Sequence, residues 1–108
     1  MTPTHPRHDL DDLLTHGVRL SVLAALDGVA KAEFALVRDS VDVTDSMLSK
    51  QVALLETAGY VDVEKGRVGR MPRTWLKATD AGRAALARHL GALRAIAATG
   101  EPAVVDRA

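Results

Sequence analysis

Two sets of side chains in this sequence have the types and spacing to contact a polyanion. The first lies in Thr44-Asp-Ser-Met-Leu-Ser-Lys-Gln-Val-Ala-Leu-Leu-Glu-Thr-Ala-Gly-Tyr60. At about 100° per residue, Ser46, Ser49, Lys50, Ala53 and Thr57 fall on one helical face. That face is small, polar and cationic, so it can lie deep in a groove and donate to base edges and phosphates. Lys50 suits either guanine O6/N7 or a phosphate. The second set is Lys65, Arg67, Arg70, Arg73 and Lys77, five cations with no acid between 65 and 77.

The elements that position these groups follow from periodicity and punctuation. Thr44 can cap a helix with its hydroxyl. Gly59 can end it, because only glycine takes the left-handed position after a helix at no cost. Leu48, Val52 and Leu55 then make the buried stripe. Tyr60–Glu64 alternates like a strand, and Thr74–Ala78 reads as its partner. The intervening Lys65–Arg73, with two glycines and a proline, is expected to be a loop. Leu76 and Ala78 should face the core. Trp75 either packs into the core or lies on the outer face with Lys77.

Upstream, the chain divides into short helices. Asp9–Leu14 begins one, with Leu10, Leu13 and Leu14 on a shared face and acids at its N-terminus. Val18–Leu26 forms the next, with Leu20, Leu23 and Leu26 inward and Asp27-Gly28 stopping it. Lys31–Arg38 is a third, anchored by Phe34 and Val37, and Asp39–Val43 is a connector. Downstream, Thr79-Asp80 caps a last helix through Ala98, with Leu86, Leu90, Leu93 and either Ile96 or Ala97 as a stripe.

Helix, connector, helix, strand, basic loop and strand make a helix-turn-helix with a wing. The chain here resembles the winged-helix transcriptional regulators of the small MarR/ArsR-like kind. Leu48-Ser49-Lys50, Leu54–Val61, Gly69–Thr74 and Thr79–Arg83 carry the resemblance, which covers roughly Leu14 to Leu93. It implies a mostly α fold with one β-hairpin, a winged helix-turn-helix with an added N-terminal helix and a C-terminal dimerisation helix. It also implies a homodimer on double-stranded DNA, helix 44–58 in the major groove and wing 65–73 on the minor groove or backbone. The expected DNA contacts are Thr44, Ser46, Ser49, Lys50, Lys65, Arg67, Arg70 and Arg73. The expected dimer seam is Leu10, Leu13 and Leu14 against Leu86, Leu90 and Leu93.

Composition sets the outer limits. The 108 residues suit one domain, expected over 9–98 between flexible tails at 1–8 and 99–108. Net charge is zero, so any nucleic-acid contact rests on where the charge sits. With no cysteine, thiol redox sensing and thiolate metal sites are excluded, and a reducing cytoplasm is expected. No apolar run reaches the roughly 18 residues of a membrane span, and MTPTHPRHDL lacks the apolar centre of a signal peptide. His5, His8, His16 and His89 lack the i, i+4 spacing of a zinc site, and no metal or cofactor is expected. No serine sits in a nucleophile elbow, and Gly66-Arg-Val-Gly69 precedes no helix, so no enzyme is expected. Two other functions fit the same domain: a winged helix used only for protein contacts, and a sensor with an effector pocket at the dimer seam. Lysine-rich, aromatic-poor surfaces disfavour the first. No residue cluster names a ligand for the second.

Overall fold

The computed structural model describes residues 4–99. Two 3-10 turns, Pro6–Asp9 and Asp12–Thr15, lead into α1 (Gly17–Asp27). A two-residue strand β1 (Ala32–Glu33) precedes α2 (Phe34–Val41) and α3 (Asp45–Thr57). Strands β2 (Val61–Val68) and β3 (Met71–Ala78) form the wing, and α4 (Asp80–Thr99) closes the chain. The sheet has the antiparallel order β1-β3-β2. This is the expected fold, with one short strand added.

Helix α3 has the expected bounds and causes. The Thr44 hydroxyl accepts from the Met47 N–H at 3.1 Å. Gly59 takes φ +78° beyond the last turn. There its N–H reaches the Glu56 carbonyl and the Tyr60 N–H reaches the Leu55 carbonyl, both at 2.9 Å, a Schellman pair. Leu48, Val52 and Leu55 are buried with Val22, Leu23 and Leu26 of α1, Leu76 of β3 and Leu86 of α4. Gln51 lies on the same buried face, 4% exposed. Its Oε1 accepts from the Arg19 guanidinium at 2.7 Å, and Arg19 Nε donates to the Leu13 carbonyl at 2.6 Å. One guanidinium thus ties α3 to the N-terminal segment.

The connector is shorter than the sequence suggests. Helix α2 continues to Val41, and Asp42 adopts the left-handed conformation at φ 58°. Asp42 and Val43 return their N–H groups to Asp39 and Arg38, both at 3.3 Å. Asp tolerates this position better than most residues because its short polar side chain can bond locally. At the other end, the N-terminal segment is two 3-10 turns instead of one helix. His5 Nδ1 and Asp11 Oδ1 each cap their own turn, and Leu10 between them is extended. The first turn also begins inside the expected tail, at Pro6, and Thr99 still belongs to α4. Residues 1–3 and 100–108, the remainder of the expected tails, lie outside the described residues.

The loop expected at Lys65–Arg73 is instead a continuous ribbon. Pairing runs from Val61↔Ala78 to Val68↔Met71, leaving Gly69-Arg70 as a two-residue turn. Gly69 has φ +60° and Arg70 does not, the sign pattern of a type II′ hairpin, whose twist matches the strands. Gly66 is a strand residue. A Cβ there would meet the Trp75 ring at 3.0 Å, so its bare backbone makes room for the indole. Pro72 is tolerated because β1 pairs only with Trp75 and Leu76, leaving that part of β3 with one neighbour. Leu76 and Ala78 are buried as expected, at 0% and 1% exposure. Trp75 takes the outer face, with the Lys31 ammonium 5.0 Å from the ring centroid.

The end of α3, the base of the wing and the start of α4 meet at one junction. Thr79 donates its N–H to the Tyr60 carbonyl at 3.0 Å and its hydroxyl to the Gly59 carbonyl at 2.6 Å. The same hydroxyl accepts from the Gly82 N–H at 3.0 Å, capping α4. Gly82 is buried, and a Cβ there would collide with the Tyr60 carbonyl. The Tyr60 hydroxyl donates to Asp11 Oδ2 at 2.5 Å, and the Asp11 N–H donates to Nδ1 of buried His89 at 3.0 Å.

Two predictions follow from these ties. Replacing Gln51→Ala removes the acceptor of one arm of the half-buried Arg19 guanidinium. Loss of a hydrogen bond to a charged group costs about 1.5–3 kcal/mol. Urea unfolding should show that loss, and an unchanged midpoint would contradict the tie. The second concerns the only tyrosine in the chain. Its hydrogen bond to Asp11, then partial burial, raise the phenol above its ordinary value of 10.0. The neutral form is the one held in the fold. The stabilisation is therefore complete below pH 10 and is lost as pH rises through the raised value. Absorbance at 295 nm should titrate above 10 and move back toward 10 in Asp11→Asn; a midpoint at or below 10 in the native protein would contradict it.

Candidate nucleic-acid interface

Ser46, Ser49, Lys50, Ala53 and Thr57 are all exposed on α3, as the helical phase requires. The Thr44 hydroxyl is occupied as a cap acceptor but retains its proton to donate. The Thr57 hydroxyl donates to the Ala53 carbonyl at 2.9 Å, so it serves the helix first. Ser46, Ser49 and Lys50 are in no hydrogen bond or ion pair of their side chains among the described residues. The exposed face is wider than the sequence suggests, for Met47 and Leu54 are 39% and 42% exposed.

Between α3 and the inner face of the wing lies an open groove of about 790 Å³. Phe34, Val52, Val63 and Leu76 give it apolar walls, while Ser49, Lys65 and Thr74 bring hydroxyls and an ammonium to it. Asp45 and Glu56 also line it. Asp45 is engaged, since Arg38 spans Asp39 at 2.9 Å and Asp45 at 2.8 Å. Those two hydrogen bonds, the Asp39 one first, raise the Arg38 pKa and keep its charge tied to the α2–α3 corner. Thr74 was not among the residues singled out in the sequence. Its signal was the hairpin register: once Gly69-Arg70 is the turn, Thr74 falls opposite Lys65.

Strand alternation divides the wing cations between two faces. Lys65 shares the groove side with Val63, Leu76 and Thr74, and Arg67, paired with Pro72, continues that row. Arg73 and Lys77 lie on the opposite face with Trp75. There Arg73 comes within 4.0 Å of Glu33, and Lys77 sits across from Asp62. Lys31 takes Glu64 at 3.1 Å. Among the described residues, Lys65, Arg67 and Arg70 have no acidic partner within ion-pair distance. Arg67 instead donates to the Arg70 carbonyl at 3.4 Å, across the tip.

The six leucines expected at a dimer seam separate into two groups. Leu14 and Leu86 are 0% and 3% exposed, within the chain's own core. Leu10, Leu13 and Leu90 are half-buried, and Leu93 is 41% exposed. Gly82, Ala85, His89 and Ala92 share the buried side of α4 with Leu86, and Gly82 allows that helix to approach the junction closely. No helix among the described residues is long and apolar enough to cross a membrane.

Comparison with known proteins gives a consistent answer. Residues 18–97 match the family described as winged helix DNA-binding domain. A transcriptional regulator homologue from Pyrococcus horikoshii superposes with a TM-score of 0.80 at 28% identity, covering 89% of this chain and 96% of that one. A MarR-family transcriptional regulator from Silicibacter pomeroyi gives 0.63 at 24% identity, covering 83% and 62%. The Mycobacterium tuberculosis regulator MosR, solved in complex with DNA, gives 0.67 at 20% identity, covering 94% and 73%. The helix-turn-helix, the basic ribbon and these matches agree, and the chain belongs to the winged-helix DNA-binding family of transcriptional regulators.

Proposed function

We propose that the protein acts as a homodimer that places α3 of each protomer in a major groove of duplex DNA and the groove side of each wing on the adjacent backbone. The observation that carries this assignment is the separation of the wing charges. Lys65, Arg67 and Arg70 are exposed and lack acidic partners, on or beside the side that faces α3. Arg73 and Lys77 stand on the other side, Arg73 4.0 Å from Glu33 and Lys77 across the ribbon from Asp62 without an ion pair to it. A solubilising loop would not need such a division, since exposed ion pairs contribute only about 0–1 kcal/mol. Ser49, Lys65 and Thr74 border one groove and together suit a phosphate strand passing between helix and wing. Ser46 and Lys50 are left to face base edges. Leu10, Leu13, Leu90 and Leu93 are the seam residues that remain accessible to a second protomer.

Salt dependence tests the assignment. Each neutralised phosphate contributes roughly −0.9 to the slope of log K against log[salt], and a dimer carries each residue twice. Lys65→Ala, Arg67→Ala and Arg70→Ala should each flatten the slope by up to about 2. Arg73→Ala and Lys77→Ala should leave it nearly unchanged. Equal effects from both groups would overturn the two-sided wing. In the same assay, Lys50→Ala on a panel of site variants distinguishes its two roles: uniform loss marks a phosphate, and loss at one base pair marks readout.

A further inference from the structure

The tip of the wing carries a feature that charge does not account for. Val68 and Met71 are direct cross-strand partners at the last rung before the turn. Val68 is 50% exposed, and Met71, at 63%, is the most exposed large apolar side chain among the described residues. Every residue from Glu64 to Arg73 is exposed, so nothing else in the described chain covers this pair. Alternation puts both side chains on the face opposite Arg67. The next rung inward on that face is Gly66↔Arg73, and Gly66 has no side chain to shield them. The two-residue turn and the Arg67–Arg70 hydrogen bond brace the tip as a short, stiff unit.

The geometry points to an apolar wedge: Val68 and Met71 enter the minor groove of the bound duplex and part a base step. This rests on the DNA-binding assignment above and adds a contact of a different kind. Three observations select DNA as the occupant over a protein. Lys65, Arg67 and Arg70, all unpaired among the described residues, lie within three residues of Val68, which matches a polyanion. Two side chains offer far less than the roughly 800 Å² per partner of a stable protein interface. A wedge needs only one base step, because α3 would already hold the complex. Strands about 4.8 Å apart also suit a minor groove about 6 Å wide, entered tip first. Apolar side chains with adjacent cations, methionine included, are a known means of unstacking a step from that groove. Pyrimidine–purine steps unstack most readily, so the wing position should favour TA or CA/TG.

The test uses the full chain on a duplex selected from a random pool, with 2-aminopurine at the step beneath the wing. Binding of the native protein should raise 2-aminopurine fluorescence. Replacing that step by a purine–purine step should weaken binding about tenfold, the size of a single base-pair mismatch. Val68→Ser/Met71→Ser should abolish the fluorescence rise and the step preference while leaving the salt slope unchanged. Met71→Ala, a milder change, should reduce both if the double variant fails to fold. Binding by native protein without a fluorescence rise, or an undiminished rise in the folded variants, would overturn the wedge and leave the DNA assignment standing. Failure of the native protein to select any duplex would overturn the DNA assignment, and the wedge with it.

Discussion

The close approach of Gly82 to the Tyr60 carbonyl fixes how α3, the wing and α4 sit against one another. Only a residue without a Cβ allows that contact, and Thr79 completes it by bonding Gly59, Tyr60 and Gly82 at once. The consequence is geometric. The Schellman end of α3 leads into β2 with one residue between the helix-ending glycine and the first strand residue. Helix and ribbon therefore share a wall, and their exposed faces border one groove. The Tyr60–Asp11–His89 chain extends the same junction to the N-terminal turns. The elements proposed to hold two protomers together thus contact the elements proposed to hold DNA.

Charge is organised around the same junction. A chain of zero net charge has no general attraction for nucleic acid, so a contact face must come from sorting charges by place. Acids engage three of the cations that are not on that face: Glu64 takes Lys31, Glu33 approaches Arg73, and Asp39 with Asp45 hold Arg38. Lys50 on α3 and Lys65, Arg67 and Arg70 on the wing are in no ion pair among the described residues.

Much of this was legible in the sequence. Thr44, Gly59 and the Leu48–Val52–Leu55 stripe specify α3 locally, because cap, terminator and period all agree there. Thr79 and the phase of Leu76 and Ala78 were equally plain. The wing departs from the expected loop because glycine and proline signal loops by type alone. In the ribbon Gly66 serves Trp75, Gly69 alone makes the turn, and Pro72 sits where β3 has only one neighbour. Register followed from that turn, and without it Arg73 could not be separated from Lys65 and Arg67. The Gln51–Arg19 tie and the Asp11–His89 bond depend on contacts distant in sequence, for which no local pattern exists. Leu14 lies in the chain's own core, and a short apolar face looks the same in the sequence whether it meets its own core or a second chain.

The account turns on two protomers presenting α3 to one duplex. Duplexes selected from a random pool, footprinted with hydroxyl radical and weighed in complex by sedimentation, test this most directly. Two protomers per duplex are expected, on a near-palindrome with half-sites one turn apart, about 34–36 Å. A monomer that protects a single undivided site, or no enrichment of any duplex, would contradict it.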